Sequence, residues 1–530
     1  MKTIAKRFCK TLLPLFLAVT MVAGLLVGCA GKKDYTKGGG VNGDYFAPAE
    51  EAGAELYSKA DPDKDNAEEP SDAFVENPFI DTARQNVSTF SADVDTASYA
   101  LFRKTVTGWV RQKANKQTIL SALEKNASSF RTEEFLNYFR YEANAPKDGE
   151  LFGTTVGILP CPWNPKNQLL RLTLQAPATT PTGGNNLVFL IDVSGSMSTE
   201  DKLPLLKTAF TYLVNQLTER DVVSIVTYSG KEEVVLQGCA GNERQKILEA
   251  VNGLTAHGAT NGEAGMKKAY ELAADYRIEG GNNRIIMASD GDLNVGIRSG
   301  DELKAFIEGK RDEGTFLSIL GFGSGNYRDS TMETLAHNGN GVYYYIDGES
   351  EAQKVFGTDL ISTLYTVAKD VKMQLTFDPA YVASYRQIGY ENRQLNREDF
   401  TDDTKDAGEV GAGHQVTVFY ELVMTENGQK TDLAADTAFM TLAVRYKAPD
   451  GDVSKEDTYS IGVSDRTVPD SDTEFMFCVL ELTMLLHNSK YLPADKSVTY
   501  ATVLAKLRGL DLDRHSDRAE FRSLVEAFAA

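Results

Sequence analysis

Three short segments hold the residues of this chain whose types and spacing could do chemistry. They are Asp192-Val193-Ser194-Gly195-Ser196-Met197, His257-Gly258-Ala259-Thr260-Asn261-Gly262 and Ser289-Asp290-Gly291-Asp292. Asp192, Ser194, Ser196, Thr260 and Asp290 together make a hard-oxygen set without His or Cys, which suits Mg²⁺ or Mn²⁺ at roughly 2.0 to 2.2 Å. Too few of these oxygens are charged to close a coordination shell, so water or an incoming carboxylate must complete it. His257 lies close by in sequence and reads as a solvated loop histidine.

An enzyme would need a nucleophile or a base, and no such motif is present. The chain has no G-x-S-x-G, no G-x-x-x-x-G-K-[ST] and no H-E-x-x-H, and its five histidines are scattered. A metal-dependent phosphotransferase also places an Asp after the first strand of a doubly wound sheet, in a D-x-D-x-[TV] pattern. Ser194 stands where the second Asp would be, and the acid that protonates a leaving group is then missing. The reading is therefore non-enzymatic, with an envelope scaffold carrying an idle metal site as the alternative and the phosphotransferase behind it.

The three segments need a scaffold that brings them to one edge. From 186 to 364 short apolar runs (Leu187 to Ile191, Val222 to Val226, Ile285 to Ala288, Phe316 to Leu320) alternate with amphipathic stretches. That alternation predicts an α/β fold, a doubly wound and mostly parallel sheet covered on both faces. Between the first two runs Leu203, Leu206, Phe210, Leu213, Val214 and Leu217 keep a helical period, with Pro204 in the first turn. Ligands of such sheets bind beyond the carboxyl ends of the strands, directly after the apolar runs, where Asp192 and Asp290 stand. Outside this segment the period changes to two, at Gln168 to Leu174 and at Val371 to Phe377, Val416 to Val423, Phe439 to Tyr446 and Asp457 to Val463. These predict antiparallel strands from both sides of the α/β segment, 151–185 and 365–465, pairing into one flanking sandwich. Residues 78–150 suggest a small N-terminal α+β domain, and 466–530 return to helical period as a small C-terminal helical region.

Asp192-x-Ser194-x-Ser196, Thr260 and Asp290-Gly291 resemble, in order and spacing, the metal-ion-dependent adhesion site of the von Willebrand factor type A (VWA) domain. The resemblance implies that Ser194, Ser196 and Thr260 offer hydroxyl oxygens to the ion while Asp192 and Asp290 bind it directly or through water. It further implies that a Glu or Asp of a protein partner supplies the last ligand. Ala259 and Ser289 depart from the Gly and Thr often found beside these positions, and neither is a ligand. Further along the chain, Asn77-Pro78-Phe79, Ser91-Ala92-Asp93-Val94-Asp95, Pro160-Cys161-Pro162-Trp163, Gly389-Tyr390-Glu391-Asn392-Arg393 and Arg518-Ala519-Glu520-Phe521 are similar to one group of bacterial VWA lipoproteins with dedicated flanking regions.

The N-terminus fits that group. Lys2, Lys6, Arg7 and Lys10 precede an apolar run from Leu12 to Val27, and Leu26-Val27-Gly28-Cys29 resembles a lipobox. Residues 1–28 are then expected to be a lipoprotein signal peptide and Cys29 the lipidated residue, which anchors the chain to a cell membrane or outer membrane on its extracytoplasmic side. Ala30 is not the Asp that resembles an inner-membrane retention signal. Residues 29–77 read as an acidic flexible stalk, since 41–80 hold eleven acidic residues against two lysines. Its Asp61, Asp63 and Asp65 imitate a calcium loop, but Asn66 stands where Gly is needed. With 55 Lys and Arg against 75 Asp and Glu, the net charge of −20 excludes nucleic acid as a partner. Cys161, Cys239 and Cys478 lack metal-ligand spacing and are expected as buried thiols.

Overall fold

The computed structural model describes residues 74–178, 183–258, 262–291, 300–323, 329–359, 362, 364–449 and 451–529, all within one compact unit, Pro70–Ala530. The expected signal peptide, Cys29 as the expected lipidation site, almost all of the expected stalk with its Asp61 loop, Thr260 and Asp292 lie outside the described residues.

Four strands come before the central sheet: β1 (Ile80–Asp81), β2 (Val87–Ser91), β3 (Gly153–Pro160) and β4 (Gln168–Gln175). The central sheet holds β5 (Asn185–Asp192), β6 (Val222–Tyr228), β7 (Glu232–Ala240), β8 (Asn282–Ser289), β9 (Phe316–Phe322) and β10 (Tyr343–Ile346) in the order β10-β9-β8-β5-β6-β7. Its neighbours run parallel except β6 and β7. This is the doubly wound α/β sheet that the apolar runs predict. β5 is buried along its whole length because helices cover both faces. Leu187, Phe189 and Ile191 join Leu206, Phe210 and Ile247 on one side, while Val188 and Leu190 join Met266 and Ala269 on the other. The edge strand β7, absent from the sequence reading, is partly exposed and carries only the three-residue apolar run Val234 to Leu236 between polar residues.

Seven strands follow: β11 (Thr366–Phe377), β12 (Val382–Ile388), β13 (Gln394–Leu395), β14 (Gly408–Gly411), β15 (Gln415–Met424), β16 (Ala438–Lys447) and β17 (Ser454–Gly462). With β1–β4 they build two further sheets, β1-β12-β15-β4-β3 and β13-β2-β11-β16-β17. Strands from both sides of the α/β segment pair directly, β4 with β15 over eight residues of each. Phe377 of one sheet stacks on Tyr385 of the other with ring centroids 4.1 Å apart, which places aromatic rings between the sheets as in a sandwich core.

The N-terminal helices differ from the expectation of a separate small domain. Tyr99, Phe102, Phe135 and Phe139 share one core with Phe475 of helix Ser471–Leu486 and Phe521 of helix Ser516–Ala529. Helix Ser471–Leu486 is buried on nearly every side, and the other helices bury their apolar stripes around it. Buried ion pairs then tie this body to the central sheet. Arg393 meets Asp93, Asp95 and Glu333 at 3.1–3.3 Å, and Arg103 meets Asp347 and Glu351 at 2.5 and 2.6 Å. Cys161, Cys239 and Cys478 are buried free thiols.

His414, in the turn between β14 and β15, is buried and accepts a hydrogen bond at Nδ1 from the Gly411 amide at 3.2 Å. Burial pushes its pKa down to about 3. A depressed histidine contributes stability that is present above its unfolded value of about 6.5 and is lost as pH falls below it. His414→Asn keeps an acceptor and removes the titration. The stability advantage of the wild type over this variant should therefore shrink by about 2 kcal/mol between pH 7 and pH 5 in denaturant melts. A pH-independent difference would contradict the assignment.

Candidate metal centre

The chain leaves β5 toward β6 on one side and later returns to β8 on the other, so β5 and β8 flank the point where strand order reverses. A crevice opens beyond the carboxyl ends at such a point. Asp192 is the last residue of β5, and Asp290 follows β8 directly.

Asp192 is 0% exposed. Its Oδ1 accepts from the Ser194 amide at 2.8 Å, a turn that leads into the tight Gly195–Ser198 helical turn, while buried Met197 anchors that turn from below. Its Oδ2 has no hydrogen-bond partner among the described residues. Burial holds the Asp192 carboxyl up at about 6, with the Ser194 hydrogen bonds and the nearby Tyr228 hydroxyl opposing the rise and the charge of Asp290 adding to it. Tyr228, paired with Asp192 in register at the end of β6, is buried beside it. The Ser194 and Ser196 hydroxyls lie 2.9 Å apart; Ser194 is buried and Ser196 exposed, so the cluster opens to solvent on the Ser196 side. Asp290 is also buried, and Lys202 donates to its Oδ2 at 2.7 Å and to the Ser196 carbonyl at 3.0 Å.

The loop leading to Thr260 is attached to this turn through its backbone. His257 donates its amide to the Val193 carbonyl at 2.7 Å, and the Gly195 amide donates to the Gly258 carbonyl at 3.1 Å. Gly258 has φ +77°, and a Cβ there would stand 2.9 Å from Ser229 Oγ, so this close approach requires glycine. The His257 ring is exposed and hydrogen-bonds the Thr255 carbonyl of its own loop. The structure thus brings Asp192, Ser194, Ser196 and Asp290 to one sheet edge. Thr260 is outside the described residues.

These residues fit a hard divalent cation on the structure's own terms. A buried carboxylate oxygen without a partner, two adjacent hydroxyls and a second carboxylate converge where nothing apolar is gained. The sequence reading missed Tyr228 and Lys202. Tyr228 ends β6, two residues past the second apolar run, where the rule of position could have found it, whereas Lys202 before the helix carried no such signal. Elsewhere Asp370, Asp406 and Glu409 hold carboxylate oxygens within 4.8 Å of one another. Lys447 already pairs with Asp370 at 2.6 Å and Arg311 with Asp406 at 2.8 Å, so that group is largely neutralised from within.

Comparison with known families agrees with the fold. The von Willebrand factor type A domain model matches residues 186–358, a von Willebrand factor model matches 65–171, and a model described as the C-terminal part of uncharacterized protein YfbK matches 362–530. YfbK of Escherichia coli (strain K12) is 36% identical over 476 residues, covering 86% of this chain and 80% of that protein. Inter-alpha-trypsin inhibitor heavy chain H3 of Mesocricetus auratus is 29% identical over 188 residues, which is 33% of this chain and 21% of that one. Among solved structures, a von Willebrand factor type A protein from Catenulispora acidiphila matches at 16% identity and a TM-score of 0.40, over 65% of this chain and 81% of its own. With a VWA domain between two matched flanking regions and a relative aligned along most of both chains, this protein belongs to the YfbK family.

Proposed function

We propose that this protein is a non-enzymatic lipoprotein, anchored through Cys29 on the extracytoplasmic side of a cell membrane or outer membrane, whose VWA domain binds Mg²⁺ or Mn²⁺ and through it an acidic side chain of a protein partner. The observation that carries the reading is the unpartnered Oδ2 of Asp192, buried at the strand-order reversal beside Asp290. Ser194, Ser196, Asp192 and Asp290 would hold the ion, with Thr260 completing the set carried over from the family resemblance. When bound there, the ion supplies positive charge and an open coordination position for a carboxylate. The residues of the chain do the rest: Ser194 and its amide orient Asp192, Met197 fixes the turn, and the exposed Ser196 marks the side from which a ligand arrives. The anchor rests on the N-terminal pattern alone; no helix among the described residues is long and apolar enough to cross a membrane.

Calorimetric titration of Mn²⁺ into the protein should show one site, lost in Asp290→Ala while that variant keeps the wild-type circular dichroism spectrum. Heat from wild type and variant alike would place the ion elsewhere. Thermal melts provide an independent check. Without metal, Asp192→Asn should be more stable than wild type by about 1–3 kcal/mol, because a buried and incompletely partnered charge is removed. At a hundredfold excess over Kd, Mn²⁺ should stabilise wild type by about 3 kcal/mol and leave the variant unmoved. A metal-free variant that melts below wild type would show that the Asp192 charge is structural.

A further inference from the structure

The site contains a cation of its own. Lys202, the residue that precedes helix Leu203–Gln216, is only 13% exposed along its side chain, and its ammonium group lies against Asp290 Oδ2 and the Ser196 carbonyl. A solvent-facing lysine keeps its rotamers; this one is held by three loops. The turn after β5 supplies Ser196, the turn after β8 supplies Asp290, and the turn after β9 supplies Gly323, which leaves room for the aliphatic stem. Gly323 has φ +84°, and a Cβ at that position would stand 2.8 Å from Lys202 Cγ. The Gly323 carbonyl is fixed in turn by the Tyr345 hydroxyl. The adjacent acid, Asp201, does not compete for Lys202, because Lys104 of helix Ala97–Arg111 pairs with it at 2.9 Å.

We propose that Lys202 is the resident cation of the site: it competes with the divalent ion for Asp290 and, once the ion is bound, leaves the site with a net positive charge that favours a carboxylate ligand. This rests on the metal-binding reading above. The charge argument is short. Among the described residues, the two carboxylates Asp192 and Asp290 balance one divalent ion, so Lys202 is the surplus, and an incoming carboxylate cancels it. Without Lys202 the same ligand would leave the site negative. With Asp290 buried and the Lys202 side chain only 13% exposed, a unit charge at contact distance is screened less than one in open solvent. Lys202 therefore weakens the bare ion and strengthens the anionic ligand, which couples metal retention to partner binding.

Lys202→Met keeps the unbranched stem against Gly323 and removes the charge; Lys202→Arg keeps the charge. Mn²⁺ alone is titrated into wild type and both variants by calorimetry, and acetate is then added to each Mn²⁺-loaded protein while the paramagnetic broadening of its methyl proton line is followed. The methionine variant should bind Mn²⁺ about tenfold more tightly than wild type and acetate several-fold more weakly, with the arginine variant near wild type in both. Equal or weaker Mn²⁺ binding by Lys202→Met, or tighter binding by Lys202→Arg, would overturn the role of Lys202 and leave the metal site standing. A wild type that takes up no Mn²⁺ would overturn the site and this role together.

Discussion

A carboxylate buried at the end of a central strand, with one oxygen unmatched, is the constraint around which this molecule is arranged. A charge in that position is costly unless something of opposite sign or a full set of donors meets it. The chain supplies part of the answer. The Ser194 amide satisfies Oδ1, and the second carboxylate, Asp290, takes Lys202. What stays open is Oδ2 of Asp192 and a pair of hydroxyls, at the one edge of the sheet where strand order reverses and a crevice must form.

The flanking regions hold that edge in place. Helix Ala97–Arg111 reaches the site from outside the central sheet: Lys104 pairs with Asp201 beside Lys202, and Arg103 is buried against Asp347 and Glu351, just past β10. Tyr343 of β10 donates its amide to Asp95, whose other oxygen meets Arg393 from the segment after β12. A buried arginine shared among several acids fixes relative positions more than it adds stability, because each charge is tolerated only in that one arrangement. The sandwich strands, the helices packed on them and the VWA domain are thereby one body, with Ser196 presented at its surface.

Much of this was legible in the sequence for local reasons. β5, β6, β8 and β9 read as strands because strands covered on both faces must be apolar throughout, and the candidate ligands could be sought directly after them. The period-two segments marked β4, β11, β15, β16 and β17 in the same way. β7 carried too little apolar signal, and β10 is four residues of Tyr343-Tyr344-Tyr345-Ile346, too short to show a period. What could not be read was which stripe meets which. The apolar faces around Tyr99 and Phe135 suggested a domain of their own, whereas their partners are Phe475 and Phe521, far along the chain. Lys202 was hidden for the same reason: a lysine before a helix is ordinary, and only the turns after β8 and β9 make it part of the site.

The account stands or falls on where a divalent ion binds. Diffraction from crystals of the protein grown with Mn²⁺, recorded at the manganese absorption edge, locates the ion without reference to any activity. The account predicts an anomalous peak at the carboxyl ends of β5 and β8, bounded by Asp192, Ser194, Ser196, Asp290 and Thr260. An empty edge there with a peak among Asp370, Asp406 and Glu409, or no ordered manganese at all, would contradict it.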